Sequence, residues 1–156
     1  MTPATPNFSL FNLVDWQDTS SIFTERRALL ARWSHSIEKT ILERGLAVDM
    51  LAGFQSLDRI APVLPRYRQL AAVAQSLTVI GLPSATVDLT GLNILPLNPD
   101  DKLVREWFLI VRYSDYNRAL IAREINHTPR SFRGILTSDP AQVERFYEAL
   151  TLPQRA

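Results

Sequence analysis

Residues 106–138 read EWFLIVRYSDYNRALIAREINHTPRSFRGILTS. Three apolar runs, 107–113, 119–125 and 132–137, are separated by polar turn formers at 114–117 and 126–129. Runs of this length bounded by such residues predict three consecutive strands joined as a meander. In the first run Trp107, Leu109, Val111 and Tyr113 share one face and Phe108 and Ile110 the other. Both faces are apolar, so this strand belongs at the centre of a sheet, and Arg112 is the sole charge inside it.

Outward from the meander, residues 77–82, LTVIGL, form a short apolar run that ends at Pro83 and reads as a buried strand. Residues 87–97 suggest another, and Gly91 and Pro96 place it at an edge. Residues 98–101, NPDD, are a turn. Leu46, Val48, Met50 and Phe54 alternate with Asp49, Leu51, Gly53 and Gln55, the pattern of a strand. Pro62 and Pro65 prevent one continuous helix after residue 56, but Pro65 can open a fresh one that runs to about Gln75. A last helix follows Ser138 or Asp139, with Val143, Phe146, Tyr147 and Leu150 on its buried face.

A long N-terminal helix is expected over 19–44, with Ser20 or Ser21 as its cap and Gly45 in the left-handed position after its end. Leu30, Trp33, Ile37 and Ile41 form its apolar stripe. The favoured reading buries that stripe against the chain's own sheet; the alternative buries it against the same helix of a second subunit in a homodimer. Residues 1–18 contain Pro3, Pro6 and Asn7 without a period and read as an irregular arm. Its apolar residues suggest docking on the domain or on a second subunit. The expected fold is therefore α+β: one domain over 19–152, with a core from 45 to 152. It has a single mixed or antiparallel sheet of five to six strands, a C-terminal three-strand meander, and N-terminal, middle and C-terminal helices.

The 156 residues are 46% hydrophobic and 21% charged, with a net charge of +1. Such a chain suits one globular domain with a sizeable core. No apolar run is long enough to span a membrane and no signal-peptide pattern opens the chain, so a cytoplasmic location is expected. A domain-wide basic balance is missing, which argues against nucleic acid. All but Lys39 and Lys102 of the 17 basic residues are arginine, and seven basic residues against three acidic ones lie between Lys102 and Arg133. Guanidinium groups suit carboxylates and phosphates, but solvated strand-edge arginines are the simpler explanation.

Catalytic patterns are lacking. There is no cysteine, the five glycines are scattered, and His35 and His127 stand apart from any ligand cluster. Neither a metal nor a cofactor can be named from these residues, and an enzyme is not expected. The polar groups that interrupt apolar strands are Asp49, Arg112, Arg123 and Glu124. An unpaired charge in a core is costly, so each must meet a partner. Internal pairing, such as Asp49 with Arg112 or Arg123, is the first reading and a ligand pocket the second. The aromatics Phe54, Tyr67, Trp107, Phe108 and Phe132 read first as core.

The segments AGFQSLDRIAPVLPRYRQLAAVAQSLTVIGLP, LVREWFLIV, RALIAREI and RSFRGILTSDPAQVERF, in this order and spacing, resemble the DICT domain over roughly residues 45–150. The resemblance implies a sensory input module of the kind found beside diguanylate cyclase and two-component signalling domains, frequently in cyanobacteria, with a proposed link to light responses. The positions it carries over are Phe54, Arg66, Tyr67, Trp107, Phe108, Glu124, Phe132 and Arg133. With Asp49, Arg112 and Arg123 they are the candidates for contact with a small ligand or partner. The expected function is a non-enzymatic signalling input module, a homodimer whose N-terminal helix relays the change through the dimer interface to an output protein or domain; the alternative is a ligand-free dimerisation adaptor. Because the chain ends soon after the last helix, it is expected to be either a stand-alone adaptor or part of a longer protein.

Overall fold

The computed structural model describes residues 8–17 and 21–151. Its seven strands are β1 (Ile22–Arg26), β2 (Asp49–Ser56), β3 (Ser76–Leu82), β4 (Asn93–Pro96), β5 (Glu106–Arg112), β6 (Arg118–His127) and β7 (Arg130–Thr137). They form one sheet in the order β1-β7-β6-β5-β2-β3-β4. The doubly apolar strand β5 lies in the middle, as its two faces require. β5 runs antiparallel to β2 and β6, and β7 antiparallel to β6 and β1, whereas β2 with β3 and β3 with β4 are parallel. The sheet is mixed, with one strand more than the upper end of the expected number.

The additional strand comes from what reads locally as the start of the first helix. Ile22–Arg26 pairs with β7 and sets Phe23 opposite Gly134. This pairing satisfies backbone groups that β7 would otherwise expose along an edge, a gain that helical periodicity does not register. Helix α1 therefore spans Arg27–Arg44 and begins without a side-chain cap. Ser20, one expected cap, lies outside the described residues. Gly45 takes the left-handed conformation (φ 61°) expected of it. A 3-10 helix, Leu57–Val63, accommodates Pro62 before α2 (Leu64–Val73), which stops just short of the expected end.

Each face of the sheet carries its own core. Leu30, Ile37 and Ile41 of α1, with Tyr67 and Leu70 of α2, pack on Met50, Ala52, Val79, Leu109, Val111, Leu120 and Phe132. Leu30 and Ile41 are fully buried and Ile37 nearly so, and Trp33 packs edge-on against Phe23 at 5.0 Å. The stripe is thus occupied by the chain's own sheet, which leaves those three aliphatic side chains no surface to offer a second subunit. On the other face, Val143, Phe146, Tyr147 and Leu150 of α3 (Pro140–Thr151) cover Leu51, Phe108, Ile110, Ala119 and Ile121.

The arm docks on that same face, where Leu10 and Val14 are buried. The carboxylate of Glu106, fully buried, accepts hydrogen bonds from the Ser9 hydroxyl (2.6 Å), the Phe11 backbone N–H (3.0 Å) and Arg123 (3.4 Å). Pro3, Pro6 and Asn7 lie outside the described residues.

Candidate functional site

A bulge in β2 shapes the site. Gly53 stands opposite Ile80 and Ser56 opposite Leu82, so Phe54 and Gln55 together face the single residue between those partners. An extra residue of this kind bends a strand and re-aims its side chains. Gln55 adopts a left-handed conformation (φ 63°), which is uncommon outside glycine. Phe54 and Gln55 consequently line a cavity of about 120 Å³ between the first half of α1, the sheet, the 3-10 helix and the start of α2.

Its deep end is polar and mostly satisfied. Glu38, buried on α1, accepts from Tyr67 Oη at 2.5 Å and from Arg66 Nε at 2.7 Å. Burial pushes the Glu38 carboxyl above its usual value, against the lowering effect of Tyr67 and Arg66. Burial, reinforced by the nearby Glu38 charge, holds the Tyr67 phenol well above its usual range. Ser34, one turn before Glu38, is also buried, and its hydroxyl has no hydrogen-bond partner among the described residues.

The mouth is cationic. Arg27, Arg59, Arg66 and Arg130 all line the cavity. Arg66 is paired with Glu38, and Arg130 with Glu124 at 2.9 Å. Among the described residues no carboxylate pairs with Arg27 or Arg59. Arg59 donates to Gln55 Oε1, and Arg130 donates to that same oxygen at 2.6 Å. Two guanidinium groups therefore converge on one neutral amide oxygen. Burial lowers the Arg59 pKa, with repulsion from Arg130 and Arg27 acting the same way and Glu124 and Asp58 acting against them. The walls between mouth and floor are Ala31, Ala52, Phe54, Pro62, Val63, Trp107 and Leu109.

Of the sequence candidates, the cavity gathers Phe54, Arg66, Tyr67, Trp107 and Phe108, with Glu124 behind Arg130. Phe132 lies beneath Trp107, edge-on at 5.6 Å, and is fully buried. Asp49 and Arg112 instead pair with each other at 3.1 Å, and Arg112 also reaches Glu144 and lies 3.9 Å from the centre of the Tyr147 ring. Arg123 is committed to Glu106 and the Phe11 ring, and Arg133 lies over Trp16 on the surface. These four are structural or peripheral to the cavity. Arg27, Ser34, Glu38, Gln55, Arg59 and Arg130 escaped the sequence reading. A usable signal was present: Ser34 and Glu38 are four residues apart, on a helix stripe beside Leu30, Ile37 and Ile41.

Among the described residues no group of three or more potential ligands could hold a metal ion, and no helix is long and apolar enough to cross a membrane. The family model for the sensory domain in diguanylate cyclases and two-component systems, DICT, matches residues 8–125. The chain belongs to the DICT family. The match takes in the docked arm and α1 of this DICT domain and the sheet as far as β6; it starts earlier than the resemblance suggested and ends before β7, so Phe132 and Arg133 lie beyond it. It reaches β6 and includes every cavity residue except Arg130. No curated protein and no solved structure matches the chain.

Proposed function

We propose that this DICT domain is a non-enzymatic, cytoplasmic input module whose stimulus enters at the cavity between α1 and the bulged end of β2. The observation that carries this reading is the cavity's composition: four arginines at the mouth, of which Arg27 and Arg59 form no ion pair among the described residues, apolar walls, and a buried unpartnered hydroxyl in α1. Pockets with apolar walls and a few convergent polar groups are the usual form of small-ligand sites. One wall is α1 itself, through Arg27, Ala31, Ser34 and Glu38. An occupant would favour particular placements of that helix, which is how binding shifts a two-state element. Its outer face, with Arg32, His35, Ser36 and Lys39 exposed, then presents the change to a signalling output partner or to a second copy.

Intact-mass and absorption measurements on protein purified under native conditions from its own host test this reading. A retained small molecule is expected, and Ala31→Trp, which fills the cavity, should displace it and alter hydrogen exchange along α1. Absence of any retained compound, together with α1 exchange indifferent to Ala31→Trp, would leave the ligand-free adaptor in its place.

A further inference from the structure

We infer that the cavity takes a small organic anion, a one-ring or similarly compact carboxylic acid, with its carboxylate at Arg59, Arg130 and Arg27 and its apolar body against Phe54, Val63 and Trp107. This rests on the reading of the cavity as the stimulus site and adds the chemistry of the stimulus.

Size comes first. An apolar cavity of about 150 Å³ holds a benzene molecule, whereas sites for drug-sized ligands run from about 300 Å³ upward. At about 120 Å³ the DICT cavity fits one ring or a branched chain inside its walls. A nucleotide or an extended chromophore would reach beyond these walls.

Charge comes second. Four guanidinium groups border the space, and the carboxylates that form ion pairs with them, Glu38 and Glu124, are each engaged by an arginine, while Asp58 acts on Arg59 only through its field. Arg27 and Arg59 are left over. Arg59 and Arg130 converge on Gln55 Oε1, an acceptor without the charge that normally holds two forks together. An incoming carboxylate supplies that charge with two oxygens for two forks. Gln55 is held in a left-handed conformation within a bulge, and strain retained at this spot fits a ligand clamp.

The third observation is the unpartnered Ser34 hydroxyl. A buried hydroxyl without a partner is destabilising. In a cavity whose other deep polar groups, Glu38 and Tyr67, bind each other, Ser34 is free to meet a hydroxyl or carbonyl at the end of the ligand away from its carboxylate.

Titration of the full chain with benzoate, its neutral counterpart benzamide, 4-hydroxybenzoate and inorganic phosphate tests this, with NMR of the three tryptophan indoles as the readout. Benzoate is expected to shift the Trp107 indole saturably and leave that of Trp16, on the opposite face of the sheet, unmoved. Benzamide should bind at least ~10-fold more weakly, the effect of losing one charge-assisted contact. Arg59→Gln should erase most of that preference. 4-Hydroxybenzoate should bind tighter than benzoate, and Ser34→Ala should remove the difference.

Equal affinity for benzoate and benzamide, or phosphate binding as well as benzoate, overturns the inference, and so does a Trp107 indole that benzoate does not move. The comparison of benzoate with benzamide needs no variant, so a misfolded Arg59→Gln does not blunt it. Tight benzamide binding would overturn the anion while sparing the cavity as the stimulus site. That site fails separately, on the native-mass and Ala31→Trp measurements.

Discussion

Glu38 shows how one side chain ties stability to the site. It is buried away from the surface, so Arg66 and Tyr67 are what keep its charge tolerable. Arg66→Met would leave a carboxylate buried with only a phenol for company, and the expected cost is about 3 kcal/mol in urea unfolding at neutral pH. A cost under about 1 kcal/mol would mean that Glu38 is protonated there. Burial raises the folded-state pKa of Glu38 above its ordinary 4.5. The native state then holds the proton more tightly than the unfolded chain. Stability from this group is complete below 4.5 and is lost as pH rises through the raised folded value. Glu38→Gln removes that slope, so its stability should decline less than the wild type's between about pH 4.5 and neutrality. Burial shifts Glu106 the same way, so part of the slope should survive in the variant.

Between β6 and β7 there is no room for a side chain at Gly134. A Cβ there would lie 1.9 Å from the Ile121 carbonyl oxygen, a backbone atom that moves only if the strands part. At Gly53 the obstruction is the Phe108 ring, at 2.2 Å, and a ring can tilt. Gly134→Ala is therefore expected to cost about 3 kcal/mol and Gly53→Ala about 1–2 kcal/mol. Thermal melts that reverse the order would show that the Phe108 ring is the more rigid of the two. The strand β1 marks the limit of local reading. Nothing in Ile22–Arg26 distinguishes it from the first turn of a helix, and its conformation is set by the open edge of β7, more than a hundred residues later in the chain. The doubly apolar β5, by contrast, was legible because burial on both faces leaves its mark on every residue.

For the whole molecule, the sheet separates two packed layers with different work. The layer of α1 and α2 contains the cavity, and the layer of α3 and the arm seals the reverse side. Deleting residues 1–17 removes buried Leu10 and Val14, each worth about 2 kcal/mol, and strips Glu106 of two donors. A loss of about 4 kcal/mol is expected in urea unfolding, and a loss below about 1 kcal/mol would show that the arm is not integral to the fold.

Hydrophobic periodicity, proline positions and turn residues were sufficient for the α+β class, the central meander and the three helices, because each depends on neighbours within a few residues; the resemblance to DICT rested instead on whole segments in their order and spacing. The pairing of Asp49 with Arg112 was also within reach, since a charge in an apolar strand must find a partner. The cavity was not. Arg27, Ser34, Gln55, Arg59 and Arg130 are distant in sequence and individually unremarked, and they acquire a common chemistry only when α1 crosses the bulged end of β2 and the β6–β7 hairpin folds back beside it. Burial and local geometry are properties that a short stretch of residues encodes. The convergence of charges from separate elements on one empty space is a property of the packed chain.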